Sequence, residues 1–121
     1  MSENRVVQRL EHMISAADRI ADYVARGRRT YDDDPALRDA IVYQITVLGE
    51  AAKGALEADP SLAQHYSAVE WSPVARMRDR LIHGYWKTSA DIVWATATKD
   101  VPTLRVAVEA IVSEMRKQDA G

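Results

Sequence analysis

Four polar side chains near the middle of the chain have types and spacing that could act on a phosphate group: Arg78, Asp79, His83 and Tyr85. An arginine carries a fixed positive fork that matches phosphate oxygens, and a histidine, whose unperturbed pKa is about 6.5, can move protons near neutral pH. Asp79 and His83 are four residues apart, so on a helix the carboxylate can orient the imidazole. RNA supplies its own nucleophile, the 2′-OH next to each phosphate, so an arginine and an oriented histidine could cleave it without a metal ion.

The stretch that contains these residues has the signals of a helix. Ser72 is a suitable N-cap, and Pro73 suits the first helical position, where its missing N–H costs nothing. At about 100° per residue, Arg78 falls beside the apolar line of this helix, whereas His83 points toward water. A guanidinium in that position needs a partner. Arg78 therefore snorkels, forms a structural ion pair with an acid on a neighbouring helix, or belongs to a functional site.

Arg78 and His83 are about 140° apart around a straight helix, so one rigid helix does not direct both side chains at a single phosphate. Two arrangements would remove this difficulty. The helix could end at Gly84 and let His83 turn. A two-fold dimer could instead bring two copies of the helix to one cleft, where Arg78 of one subunit works with His83 of the other.

The preceding long helix, predicted from Pro35 to about Ala58, is slender in its second half. Gly49 and Gly54 each cost a helix roughly 1 kcal/mol relative to alanine, so their presence predicts close packing against another backbone. That contact could lie within the chain or in a dimer. Glu50 sits among these small residues and could pair with Arg78, either as a structural partner or as support for the site.

The motif Arg-Asp-x-Leu-x-His-x-Tyr resembles the signature of HepT-type HEPN-domain proteins; here it consists of Arg78, Asp79, Leu81, His83 and Tyr85. That family contains the RNase toxins of HepT/MntA toxin–antitoxin pairs. Residues 48–52 look like the family's small-residue Gly-Glu-Ala segment, and residues 92–94 with 100–104 look like its C-terminal part. The resemblance covers nearly the whole chain.

The resemblance implies a metal-independent endoribonuclease toxin of a type VII-like toxin–antitoxin pair. His83 would act as general acid/base, Arg78 would hold the phosphate and its transition state, and Asp79 would orient His83. The products would carry a 2′,3′-cyclic phosphate and a 5′-hydroxyl. It also implies a homodimer with the motif facing the cleft, and we adopt that arrangement. Gly49 and Glu50 are then expected at the interface or in support of the site.

Tyr85 acquires a role through the same resemblance. In HepT/MntA-type pairs a small nucleotidyltransferase antitoxin silences the toxin by adding AMP to the tyrosine of this motif. The expected partners are therefore RNA and a cognate MntA-type nucleotidyltransferase. The alternative for Tyr85 is an aromatic residue that continues the apolar stripe of the helix. The alternative for the whole chain is a non-catalytic helical partner subunit of such a nucleotidyltransferase, which would use the same cleft for binding.

Composition narrows the class of protein. A chain of 121 residues without cysteine is expected to form one domain, residues 1–121, that needs no disulfide. No apolar run is long enough to cross a membrane and no secretory signal is visible, so we expect a cytoplasmic protein.

The net charge of −2 argues against coating nucleic acid through bulk charge. A local basic patch could still bind RNA, and two clusters could form one: Arg76, Arg78, Arg80 and Lys87, or Arg26, Arg28 and Arg29.

No metal ion or other cofactor is expected. The acidic run at residues 32–34 lies on a predicted loop, where consecutive carboxylates do not share one direction, and Asp34 is a natural N-cap before Pro35. The three histidines are far apart in sequence and do not form a recognisable ligand set.

Apolar residues at steps of three and four predict an all-α, up-and-down bundle of four to five helices, similar to HEPN domains. Helices are expected over residues 5–25 and 35–58, from Ser72 through the motif, and around residues 92–94, where Ser89 or Thr88 could be the N-cap. Pro102 should open or kink the last one. Residues 28–34 are expected to be a loop, and nothing in the chain requires a strand.

Overall fold

The computed structural model describes residues 2–69, 71–84 and 88–120, and this part of the chain forms helices and no strand. The helices are α1 Ser2–Val24, α2 Arg28–Asp33, α3 Pro35–Ala58, α4 Leu62–His65, α5 Trp71–Gly84, α6 Ala90–Ala95 and α7 Val101–Ala120. A π-helical segment, Thr96–Asp100, joins α6 to α7. Helices α1, α3, α5 and α7 have 14 to 24 residues each, and short helices connect them. The prediction of an all-α bundle is confirmed.

Helix α3 lies at the centre of the packing. It contacts both α1 and α5, and α7 packs against α1. The largest fully buried side chains come from most of these elements and include Leu10, Ile20, Tyr31, Ile41, Ile45, Leu48, Leu62 and Val108. Fully burying a side chain of this kind contributes about 1.5–3 kcal/mol. The motif helix α5 therefore packs against the central helix of the bundle.

Side-chain caps and prolines set several helix boundaries as predicted. The Asp34 carboxylate accepts a hydrogen bond from the Ala36 N–H at 3.0 Å, and Pro35 follows it as the first residue of α3. The Ser89 hydroxyl accepts from the Asp91 N–H at 3.1 Å at the start of α6. Pro102 lies in the first turn of α7, so the prediction that it opens the last helix is confirmed.

The prediction of a loop over residues 28–34 is wrong for most of its length, because α2 occupies Arg28–Asp33. Tyr31, which is 2% exposed, anchors this short helix in the core. Arg28 also pairs with Asp32, four residues later, at 2.8 Å. Gly27 precedes the helix with a φ of 91°, a conformation that glycine adopts without strain. One buried aromatic side chain thus converts a polar stretch into a helix.

The prediction of Ser72 as an N-cap is also wrong. Helix α5 begins one residue earlier, at Trp71, so Ser72 lies inside its first turn. The Trp71 side chain is buried, which holds this first turn against the core. Pro73 still lies in the first turn, where its missing N–H has no helical acceptor to lose.

Within the three ranges that the structure describes, no helix is long and apolar enough to span a membrane.

Candidate active site

Helix α5 has a buried face and an exposed face, as its apolar spacing predicts. The buried side chains are Trp71, Val74, Met77 and Leu81. Arg76, Arg80 and His83 are exposed. Arg78 is intermediate, with 19% of its side chain exposed. The stem of Arg78 therefore lies against the bundle while its guanidinium reaches the surface.

Gly49 is the point on α3 where α5 comes closest. A Cβ atom added at Gly49 would lie 2.4 Å from the Cβ of Arg78 and 3.2 Å from the carbonyl oxygen of Val74. No side chain fits in that space, so the prediction of close packing at Gly49 is confirmed. Gly54 differs, because a Cβ atom there would meet the side chain of Arg9, with the nearest atom, Nε, at 3.1 Å. Of these two glycines, Gly49 is the one that lets α3 and α5 approach closely.

This close approach brings Arg78 beside two carboxylates. Arg78 Nη2 lies 2.6 Å from Glu50 Oε2 on α3, and Arg78 Nη1 lies 2.7 Å from Asp79 Oδ1 on α5. The predicted pairing of Glu50 with Arg78 is confirmed. Both carboxylates are 58% exposed, so each can exchange its partner for water or a ligand. Arg78 Nε is buried without a hydrogen-bond partner among the described atoms.

The ion pairs stabilise the charged forms of their members. The hydrogen bond that Arg78 donates holds the pKa of the Asp79 carboxyl below its ordinary value. In return, the hydrogen bond to Asp79, assisted by the negative charge of Glu50, raises the pKa of the Arg78 guanidinium. Arg78 and Asp79 therefore remain ionised over the physiological pH range.

His83 is not hydrogen-bonded to Asp79. The carboxylate of Asp79 accepts from Arg78 instead, and His83, exposed in the last turn of α5, has no hydrogen bond with any residue that the structure describes. The two side chains are still close enough for the charge of His83 to contribute to the lowered pKa of Asp79. Arg78, Asp79 and Glu50 thus form one cluster, with His83 at its edge.

Tyr85 lies outside the described residues, as does Lys87 of the predicted basic patch. Arg76 and Arg80 of that patch are described, and they line a groove between α5 and the α6–α7 connection. The groove has a volume of about 430 Å³ and also contains Met77, Ile92 and Asp100. Neither Arg76 nor Arg80 forms an ion pair with a described residue, so both guanidinium groups are available to a ligand.

Arg38, Tyr31 and Thr88 form hydrogen bonds around residues 88–90 that the sequence did not indicate. Arg38 on α3 donates to the Thr88 carbonyl at 2.7 Å, and the Tyr31 hydroxyl donates to the Ala90 carbonyl at 2.8 Å. The Thr88 hydroxyl donates to the Gly84 carbonyl, the last of α5, at 3.3 Å. The available signal was Tyr31, an aromatic residue in an otherwise polar stretch. Arg38 gave no signal, because its partner is a backbone carbonyl.

The described residues contain no group of three or more His, Cys, Asp or Glu side chains that could hold a metal ion. The acidic run at 32–34 diverges: Asp32 pairs with Arg28, whereas Asp34 caps α3.

Comparison with known proteins points to ribonucleases. The family described as "Ribonuclease HepT-like" matches residues 13–111, a range that includes α3, α5 and the motif. A protein of Caldanaerobacter subterraneus subsp. tengcongensis, named "Putative RNase TTE0752", is 32% identical over 107 residues, which cover 87% of this chain and 92% of that protein. "Probable ribonuclease HepT" of Thermococcus cleftensis is 30% identical over 72 residues, which cover 60% of this chain and 63% of that protein.

A third relative is "Putative RNase MJ0127" of Methanocaldococcus jannaschii, which is 30% identical over 93 residues, 74% of each chain. No solved structure matches the chain. The family match spans most of the sequence, and the three relatives named for ribonuclease activity align with 60% to 87% of it. The resemblance read from the motif is confirmed: the chain belongs to the HepT-like ribonuclease family.

Proposed function

We propose that this protein is a metal-independent endoribonuclease in which residues 1–121 form a single HEPN-like domain. In the proposed reaction the 2′-hydroxyl of RNA attacks the adjacent phosphorus, and neutral His83 accepts the hydroxyl proton. The bond to the 5′-oxygen breaks, and that oxygen takes a proton from a protonated imidazole. A 2′,3′-cyclic phosphate and a 5′-hydroxyl remain. The observation that carries the proposal is the position of Arg78: α3 and Gly49 hold its stem while its guanidinium reaches the surface.

The carboxylates around Arg78 must be reconciled with phosphate binding. Asp79 occupies Nη1 and Glu50 occupies Nη2, so an RNA phosphate has to take the place of at least one of them. Asp79 is the better candidate, because it is also four residues before His83 and can move from the guanidinium to the imidazole. Phosphate binding at Arg78 would then release the carboxylate that orients His83. Glu50 would continue to hold the other side of the guanidinium.

We also propose that the protein works as a homodimer with the motif helices at a shared cleft. Tyr43 is seven residues before Glu50 and so lies on the same side of α3, and Ile82 is four residues after Arg78 on α5. Both apolar side chains are exposed, Tyr43 by 65% and Ile82 by 46%. The surface around Arg78 thus combines exposed apolar side chains with charges, as protein interfaces do. A two-fold contact there would also overcome the angle of about 140° between Arg78 and His83.

Complementation tests the shared cleft. Subunits with Arg78→Ala and subunits with His83→Ala should each be inactive alone. Mixed and re-equilibrated, they should recover part of the wild-type activity, since half of the clefts in a heterodimer keep an intact Arg78 and His83. A protein that is active as a monomer in sedimentation experiments would contradict the shared site.

For regulation, we propose the toxin of a type VII-like toxin–antitoxin pair acting in the cytoplasm, with an MntA-type nucleotidyltransferase that adds AMP to Tyr85. Tyr85 is two residues after His83, so an adenylate on its hydroxyl can reach the same charges that would bind RNA. An anionic adduct there would compete with the substrate phosphate.

The alternative is a non-catalytic partner subunit of the nucleotidyltransferase. One observation favours it: the charge of Arg78 is already balanced by Glu50 and Asp79, as expected for a structural ion pair. The two functions differ in what the isolated protein does to RNA.

The decisive experiment is incubation of the purified protein with RNA in the presence of EDTA, followed by analysis of the new termini. The catalytic proposal expects cleavage with cyclic phosphate ends, and loss of cleavage in His83→Ala. His12→Ala is the matched control, because His12 is also exposed on a long helix but lies outside the motif. Intact RNA after incubation with the wild-type protein, with or without divalent ions, would favour the non-catalytic partner.

A further inference from the structure

The C-terminal end of the motif helix is attached to α3 by a chain of hydrogen bonds. The last four carbonyl groups of any helix lack partners within the helix. In α5 one of them, the carbonyl of Gly84, accepts from the Thr88 hydroxyl at 3.3 Å. The carbonyl of Thr88 in turn accepts from Arg38 Nη2 at 2.7 Å. Two hydrogen bonds through one residue thus connect α3 to the end of α5.

Thr88, the middle residue of these hydrogen bonds, can hold the end of α5 in a fixed position relative to α3. Thr88 is 5% exposed, although its side chain is polar. Its bond from Arg38 is charge-assisted and therefore stronger than a bond between neutral groups. A loss of either contact would leave a polar group unsatisfied in a buried place, which costs more than the bond itself contributes.

A second attachment lies two residues further along. The Tyr31 hydroxyl donates to the carbonyl of Ala90 at 2.8 Å, and the Tyr31 ring lies 4.9 Å from the ring of Trp94. Burial raises the pKa of Tyr31, so its hydroxyl keeps its proton and remains a donor at neutral pH. Arg28 covers both rings from the solvent side, with its guanidinium 5.6 Å from the Tyr31 ring. The carbonyls on either side of Ser89 are therefore fixed independently.

We infer that Arg38 and Thr88 are positioning residues for His83. His83 precedes Gly84 directly and forms no hydrogen bond to a described residue, so the imidazole depends on the backbone for its placement. The Arg38–Thr88–Gly84 chain fixes that backbone at the point where a helix would otherwise fray. This inference rests on the proposed ribonuclease function, in which His83 must reach the proton of the 2′-hydroxyl within hydrogen-bond distance.

The chain contains a matched control for Thr88. Thr98 is partly buried, and its hydroxyl also donates to the carbonyl four residues earlier, that of Trp94, at 2.8 Å. Thr88→Val and Thr98→Val each remove one such bond and keep the branched shape. Only Thr88 is connected to the end of α5. The two substitutions therefore separate positioning of His83 from a general loss of buried hydrogen bonding.

The first test is RNA cleavage by the full chain. We expect Thr88→Val to lower kcat by about ten-fold or more, because small misplacements of a catalytic group have effects of this size. KM should stay nearly unchanged, since the RNA-binding charges are intact. Thr88→Ser, which keeps the hydroxyl, should restore most of the activity, and Thr98→Val should behave like the wild type. Equal losses in Thr88→Val and Thr98→Val would overturn the inference.

The second test does not need ribonuclease activity. The three histidines of the chain give separate imidazole signals in proton–carbon NMR spectra, with His12 and His65 as internal references. In Thr88→Val, and in Arg38→Lys in case Thr88→Val does not fold, the His83 signals should shift or broaden while the reference signals stay in place. Unchanged His83 signals in both variants would refute positioning. If the wild type does not cleave RNA, the proposed function fails, and the NMR result alone decides whether Arg38 and Thr88 position His83.

Discussion

A Cβ atom placed on Gly49 would lie 2.4 Å from the Cβ of Arg78, closer than two such atoms can approach. The absent side chain on α3 is therefore what allows the stem of the arginine on α5 to pack against α3. Glu50, the next residue of α3, then meets the guanidinium at 2.6 Å. Gly49 thus allows α3 and α5 to pack closely and also determines where the charge of Arg78 reaches the surface.

The first prediction follows from this contact. Gly49→Ala should destabilise the protein by about 1–3 kcal/mol, because the two helices must separate to admit a methyl group. Gly54→Ala is the control: its new methyl group meets the flexible Arg9 side chain, which can move, and alanine favours a helix over glycine by about 1 kcal/mol. In urea denaturation, the free energy of unfolding should therefore be lower than that of the wild type for Gly49→Ala and higher for Gly54→Ala. Equal stability of Gly49→Ala and the wild type would contradict the close packing described here.

The second prediction concerns Arg78. Arg78→Ala should reduce RNA cleavage by at least about 100-fold, since it removes the proposed stabiliser of the phosphoryl charge. Arg105 provides the control, because it also lies between two carboxylates, Asp18 at 2.7 Å and Glu109 at 2.5 Å, but joins α7 to α1.

Arg105→Ala should lose a comparable pair of ion pairs and keep its cleavage rate. Circular dichroism and thermal melts of both variants establish that they fold. If the Arg105 and Arg78 variants lose activity to the same extent, the effect comes from the fold rather than from phosphate binding.

The third prediction distinguishes the two basic clusters of the sequence. Arg76 and Arg80 line the groove beside α5, whereas Arg26 and Arg29 are exposed at the other cluster. The double variant Arg76→Gln/Arg80→Gln should weaken RNA binding and reduce the slope of log K against log salt by roughly 1.4, at about 0.7 per phosphate contact on a single strand.

Arg26→Gln/Arg29→Gln changes the net charge by the same amount and should leave that slope unchanged. Fluorescence anisotropy with a labelled single-stranded RNA, measured over a series of salt concentrations, gives both slopes. An equal reduction in the two double variants would indicate an effect of net charge and not of the groove.

The fourth prediction is a dependence of stability on pH. The pKa of Asp79 is lower in the folded protein than in the unfolded chain because Arg78 donates a hydrogen bond to it. Its contribution to stability is therefore present above the unfolded pKa of about 3.9 and disappears as the pH falls through the lower folded-state pKa. Asp79→Asn should lower Tm at neutral pH, and the difference from the wild type should shrink in acid.

Asp33→Asn is the control for this series, because Asp33 is exposed on α2 and forms no ion pair with a described residue. Its Tm should follow that of the wild type at every pH. A Tm difference for Asp79→Asn that stays constant from neutral pH to strong acid would exclude the ion pair as its source.

Sequence patterns predicted the features that depend mainly on residues close together in the chain. The apolar spacing of α1, α3, α5 and α7 gave the bundle, and Asp34 and Ser89 gave two helix starts. The Glu50–Arg78 pair was also predictable, because Gly49 inside a helix indicated a close neighbour beside Glu50. Helix α2 was missed because Tyr31 stabilises it from the core, and propensity does not include tertiary burial. The Arg38–Thr88 contact was missed because every residue has a backbone carbonyl, so residue types do not indicate which carbonyl accepts a hydrogen bond.

The last prediction concerns control at Tyr85. Co-expression with the cognate nucleotidyltransferase and ATP should add one or more AMP units to the Tyr85 hydroxyl and stop RNA cleavage, because the anionic adduct would compete for the phosphate-binding charges. Tyr85→Phe should remain toxic in the presence of the antitoxin, since the ring stays and the acceptor oxygen is lost. Tyr23→Phe is the control, because Tyr23 is partly exposed on α1 and lies outside the motif. Intact-mass and peptide mass spectrometry locate the adduct. Neutralisation without a mass increase, or an adduct found only on Tyr23, Tyr31, Tyr43 or Tyr66, would mean that the partner silences the protein by covering the cleft.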